Sequence, residues 1–165
     1  MLGLSELGII HTAISLVALV AGAIALVRDK KIVWTNMVGK IYVVTTALTC
    51  LSSFGIYKHG GFGAPHVLSI LTLLLLLVAL LGGKNTKLFG GLTPYIVVVA
   101  YTVTYLFHFV AGITETLTRV PVGAPWASSP ADPNLKIVLG AVFLLFVVGA
   151  SLQVLKLRTA LRSIV

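Results

Sequence analysis

Five long apolar runs alternate with short polar turns along this chain, near residues 7–27, 36–57, 65–82, 94–115 and 134–157. Each run approaches the roughly 20 residues that a helix needs to cross about 30 Å of hydrocarbon. Their ends are punctuated. Pro65, Pro94 and Pro133 suit a first helical turn, where a missing N–H leaves nothing unpaired, and Thr93 and Asp132 precede two of them as N-cap candidates. Gly60-Gly61 and Gly82-Gly83 supply turns, and the connections after the first, second and third runs are short, so neighbouring helices are expected to pack antiparallel. The pattern predicts an all-α membrane protein, with residues 1–165 forming one domain, a five-transmembrane-helix bundle.

Polar and small residues recur inside the runs at helical spacing. His11, Ser15, Ala18 and Gly22 make one such stripe; Tyr42, Thr46, Thr49 and Ser53 make a second; Tyr101, Thr104 or Tyr105, His108, Gly112 and Glu115 make a third. His66, Ser69 and Thr72 extend the pattern weakly on the third run. Hydrocarbon satisfies no hydrogen bond, so these faces are expected to turn toward one another. The fifth run, with Gly140 and Gly149 among Leu, Val and Phe, reads as scaffold.

Composition excludes an ordinary soluble domain: 58% of residues are hydrophobic, 10% are charged and the mean hydropathy is +1.09. A net charge of +8 would point to nucleic acid in a soluble protein, but here the basic residues lie in turns and set orientation, so no nucleic-acid partner is expected. Arg28, Lys30, Lys31, Lys84, Lys87, Lys156, Arg158 and Arg162 collect at one end with Lys40 near them, against Lys58, Arg119 and Lys136 at the other. The positive-inside rule then places the N-terminus outside and the C-terminus in the cytoplasm. No basic residue precedes the first run, so it lacks the pattern of a cleaved signal and is expected to stay in the mature protein. A single cysteine, Cys50, excludes an intramolecular disulfide and a cysteine metal cluster. The long connection 116–133, with four prolines and Trp126, is expected outside, as a cover over the bundle mouth or as a plain tether.

On this topology all four histidines fall on the outer side. His11 lies about one turn into the first helix, His59 in the outer loop, His66 at the start of the third helix, and His108 about two turns below the outer end of the fourth. An ionisable residue within a membrane helix is costly and marks a functional site by default. The sharpest expectation is a metal or haem site in the outer third of helices one to four. Its ligands would be His11, His66, His108 and Glu115, holding Zn, Cu or Fe, or two of the histidines would ligate haem axially. Tyr42, Tyr101, Tyr105 and Ser69 would surround it, and its role would be electron transfer or cofactor handling for a respiratory complex. No H-x-x-x-H, H-E-x-x-H or C-x-x-C motif is present to choose among these groups. Two other functions compete. One is a non-catalytic accessory or interaction subunit, in contact with lipid and with other membrane subunits or a second copy, in which His108 bonds a tyrosine or threonine across the bundle. The other is an intramembrane zinc-dependent hydrolase in which Glu115 activates water. Glu115 also stands four residues before Arg119, the favourable order for a surface ion pair.

The segments HTAISLVALVAGAIALV, VGKIYVV, GIYKHGGFGAPHVLSILTL and YLFHFVAGITETLTRVPVGAP resemble a family of small bacterial predicted integral membrane proteins grouped as a domain of unknown function. The resemblance covers nearly the whole chain. It implies a multi-pass protein of the bacterial inner membrane, with His11, His66 and His108 at the motif positions. Relatives of that pattern carry a histidine before the G-K/R-x-Y segment, where this chain has Trp34-Thr35-Asn36, a departure that weakens any ligand on the cytoplasmic side.

Overall fold

A computed structural model describes residues 5–57 and 61–163; the expected position of His59 lies outside them. The described residues form five helices and no strand: α1 (Glu6–Asp29), α2 (Met37–Ser53), α3 (Ala64–Lys84), α4 (Thr93–Leu117) and α5 (Pro133–Arg162). By length and apolar composition α1, α3, α4 and α5 can each cross a membrane, whereas α2 has 17 residues.

Local chemistry accounts for the helix ends. The Ser5 hydroxyl accepts from the Gly8 N–H, the Asn36 side chain from the Gly39 N–H, and the Asp132 carboxylate from the Asn134 N–H. The three prolines lie in first turns, as expected. Thr93 differs from its expected capping role. It is the first residue of α4, and its hydroxyl accepts from the Phe89 N–H at 2.9 Å and donates to the Gly90 carbonyl at 2.9 Å, closing a short 3-10 turn over Gly90–Leu92. The second helix also stops sooner than its apolar run. The N–H groups of Phe54, Gly55 and Ile56 each bond three residues back, so the last turn tightens and the regular helix ends at Ser53.

Successive helices run antiparallel, because the polar contacts join the start of one to the end of the next: His11 to Ser52, Ser53 to Ser69. The core lies among Ala18, Ala21 and Ala25 of α1, Tyr42 of α2, Leu76 and Ala79 of α3, and Ala100, Tyr101 and Tyr105 of α4. Small residues on α1 make room for the tyrosines. A Cβ at Gly22 would sit 2.5 Å from the ring of Tyr105 and 3.1 Å from that of Tyr42. Gly39 is tighter still, since a Cβ there would run into the backbone carbonyl of Val33. That contact presses the first turn of α2 onto its own lead-in, beside the fully buried Ile32.

The fifth helix packs on α4, with Phe146 against Tyr105 and Phe109, and no residue of its most apolar stretch is fully buried. One residue that the scaffold reading passed over ties it down. Gln153 accepts from the Thr102 hydroxyl at 2.7 Å and donates to the Lys30 carbonyl at 2.9 Å. The connection from α4 to α5 folds back on the end of α4, through Ala127 N–H to the Leu117 carbonyl at 2.9 Å and Trp126 N–H to the Val120 carbonyl at 3.2 Å. At its far end the N–H and hydroxyl of Ser128 and the N–H of Asn134 donate to Asp132, which holds that carboxyl below the usual carboxylate range.

Two predictions follow from these contacts. Gly39→Ala sets side chain against backbone and is expected to destabilise the detergent-solubilised protein by roughly 3 kcal/mol, more than Gly22→Ala, where a ring can shift; thermal unfolding measures both. Because the Asp132 pKa is depressed in the fold, its contribution is present above the unfolded carboxylate range and lost as pH falls through the folded value. Amide protection factors at Ser128 and Asn134, taken against the intrinsic exchange rate at each pH, should therefore fall as acidification protonates Asp132, and in Asp132→Ala they should already be low at neutral pH.

Candidate functional site: a hydroxyl-lined histidine pair

The stripes of α1, α2 and α4 meet around two imidazoles. His108, on α4, is 7% exposed; its Nδ1 lies 3.3 Å from the Ser15 hydroxyl of α1 and its Nε2 3.0 Å from the Thr46 hydroxyl of α2. His11 lies one turn before Ser15 on α1 and places its Nδ1 3.0 Å from the Ser52 hydroxyl of α2. Ser15, which meets His108, stands one turn from His11 on the same helix, so the two imidazoles occupy neighbouring levels of the bundle. Below them the Tyr42 hydroxyl meets that of Thr104 at 2.8 Å, and Tyr105 of α4 donates to the Leu19 carbonyl of α1 at 3.1 Å. The Tyr42 ring packs edge-on against both Tyr105 and His108, with centroids 6.1 Å away in each case.

Proton positions follow from the groups that can only accept. Ser52 donates to the Thr49 carbonyl, so its oxygen receives the proton of His11 Nδ1, and His11 keeps a lone pair on Nε2. Thr104 donates to the Tyr101 carbonyl at 2.8 Å, so Tyr42 must donate to Thr104. The direction at the phenol is then Tyr42 to Thr104 and Thr104 to the backbone, while His108 donates from one ring nitrogen and accepts at the other, between Ser15 and Thr46. Both nitrogens of His108 are occupied, and the chain ends on a carbonyl.

The other expected ligands lie elsewhere. His66, in the first turn of α3, accepts at Nδ1 from the Gly63 N–H at 3.1 Å. Its ring stacks with Phe62, Tyr57 and Phe54 at centroid distances of 5.2, 5.3 and 6.2 Å. With Nδ1 accepting, the proton sits on Nε2, which is buried with no partner among the described residues. An imidazole in this tautomer has no lone pair left for a metal. Glu115 is exposed and forms the ion pair with Arg119 that their spacing favours. Among the described residues no group of three or more His, Cys, Asp or Glu is placed to hold a metal ion. Of the four expected ligands, His11 and His108 share the inner face of α1, α2 and α4, through Ser52, Ser15 and Thr46.

Of the expected neighbours, Tyr42 touches His108 and Tyr105 touches Tyr42. Ser69 instead accepts from Ser53 at 2.7 Å, which joins α3 to α2, and the buried Tyr101 hydroxyl has no partner among the described residues. Ser52 was not visible as a site residue, because it falls one position off the Tyr42–Ser53 stripe. What marks it in the sequence is depth alone: it ends α2 at the level where α1 begins.

Thr46→Val keeps the shape and removes the hydrogen-bond partner of His108 Nε2. It is expected to cost about 1–2 kcal/mol, and Ser15→Ala less because its contact is longer. Unfolding in mixed detergent measures both, and a double cycle of Thr46→Val with His108→Ala should return a coupling of about 0.5 kcal/mol or more. Set against family models, curated proteins and solved structures, the chain matches none of them.

Proposed function

We propose that this protein is a multi-pass membrane subunit without chemistry of its own, in which the histidines lock the helices into register and the outward apolar faces meet lipid and other subunits. The observation that carries this reading is the saturation of His108. One buried ring joins α4 to a hydroxyl on α1 and a hydroxyl on α2, and both of its nitrogens are in use. Inside hydrocarbon such a joint has few competitors, because water is not there to replace it.

All five helices cross the bilayer in this reading. The α2 helix supplies about 25 Å at ~1.5 Å per residue, and the tight turn through Ile56 supplies the remainder. The N-terminus is outside and the C-terminus cytoplasmic, supported by the basic residues at the α1–α2 turn, the α3–α4 turn and the end of α5. The bacterial inner membrane is the setting that the family resemblance implies.

A second reading keeps the imidazoles as ligands, and one observation favours it: with Nδ1 on Ser52, His11 retains a lone pair on Nε2. The donor set does not fit well. Two imidazoles fall short of the three protein ligands of a catalytic zinc site, and axial ligation of haem would require His108 Nε2 to leave Thr46 and α2 to move aside.

His108→Gln separates the two. An amide offers one donor and one acceptor, so the variant is expected to stay within about 1 kcal/mol of the parent while His108→Ala loses about 2–3 kcal/mol. Elemental analysis and an optical spectrum on protein expressed with metals and haem precursors supply the other measurement. Stoichiometric metal or a Soret band that is absent from both variants would overturn the subunit reading in favour of the ligand one.

A further inference from the structure

Where α5 lies against α4 it leaves a groove of about 410 Å³ on the side facing the end of α1. Its wall is apolar: Leu26 from α1, and Leu145, Phe146, Gly149 and Leu152 from α5. Its rim is cationic, since Lys30 and Lys156 both line it. These two are set by the fold and not by chance exposure. Gln153 donates to the Lys30 carbonyl, and Lys156 follows Gln153 by one turn on the same face of α5. Lys30 occupies the left-handed region at φ 60°, closing α1, with one ammonium proton on the Val27 carbonyl and two left to donate. Asp29, the acid beside it, is already held by Arg28 and Asn36. Nothing stands within 4 Å of the place where a Cβ of Gly149 would be, so the groove floor is open there.

We propose that this groove binds one anionic phospholipid, with its phosphate between Lys30 and Lys156 and an acyl chain along Leu145, Gly149 and Leu152. A lipid is the occupant whose own order matches the site, charged at one end and apolar along the rest. The charge selects the headgroup class. A choline headgroup would bring its own cation toward two lysines, whereas a glycerol headgroup leaves the phosphate as the only charge. Basic pockets between helices at the membrane surface recognise headgroups in this way. The lipid would also cover part of the α5 surface that the protein itself leaves open.

The test uses the full-length protein in neutral detergent, titrated separately with phosphatidylglycerol, phosphatidylcholine and glycerol 3-phosphate, with native mass and thermal midpoint as readouts. The expected result is a single phosphatidylglycerol adduct at about tenfold lower concentration than phosphatidylcholine requires, with no shift from glycerol 3-phosphate. Lys156→Gln and Lys30→Asn should each weaken phosphatidylglycerol about fivefold, and asparagine is chosen at position 30 because it tolerates the left-handed backbone. Gly149→Leu should fill the floor and weaken both lipids. Equal affinity for the two lipids, or undiminished phosphatidylglycerol binding in Lys156→Gln, would overturn the proposal. Should Lys30→Asn fail to fold, Lys156→Gln and Gly149→Leu decide the matter, since both positions face open groove.

Discussion

A polar group inside hydrocarbon has no solvent to fall back on, and the arrangement of this bundle depends on that constraint. Every hydroxyl and imidazole on the inner faces of α1, α2 and α4 needs a partner from a neighbouring helix or from its own backbone. Threonines and serines meet the demand partly within their own helices, as Thr45, Thr49 and Thr72 do by bonding back one turn. His108 cannot do so, because its two nitrogens project too far. It reaches Ser15 and Thr46 on two other helices, and in doing so sets where α1, α2 and α4 stand along one another. The alanines and glycines of α1 then let Tyr42 and Tyr105 fill the space beneath.

Much of this was written in the periodicity. The faces of His11–Gly22, Tyr42–Ser53 and Tyr101–His108 turn inward, since a polar residue repeated every three or four positions in an apolar helix has one direction in which it can be satisfied. The pattern was silent where a single residue acts alone. Gln153 and Ser52 break no periodicity and carry no charge, yet each joins two helices. Position along the chain also does not show which neighbours His66 and Glu115 meet. Both lie toward the mouth of the bundle with the other histidines, but a ring stacked among three aromatic neighbours and a carboxylate facing its own helix are local outcomes. Depth alone does not resolve which side of a helix a residue serves. The early end of α2 has a similar cause, because an apolar run sets where a helix is permitted and the tight bonds of Phe54–Ile56 set where it stops.

The protein presents two contrasting regions. Around His108 the helices are tied by directional bonds that specify one arrangement, whereas α5, apart from the Gln153 bond to Thr102, lies on α4 through apolar contact that many side-chain sets would support. The first region is sensitive to single-atom changes, and the second is tolerant of them.

Gln153 gives this contrast an order in time. A chain emerging from its N-terminus completes the α1–α2 hairpin before α5, so the bond from residue 153 to the carbonyl of residue 30 closes only after α5 has been made. That clasp joins the newest helix to the oldest turn. Until it closes, the exposed Lys30 turn and the face of α4 around Thr102 are open to whatever the membrane supplies; afterwards the rim of the lysine-lined groove is complete.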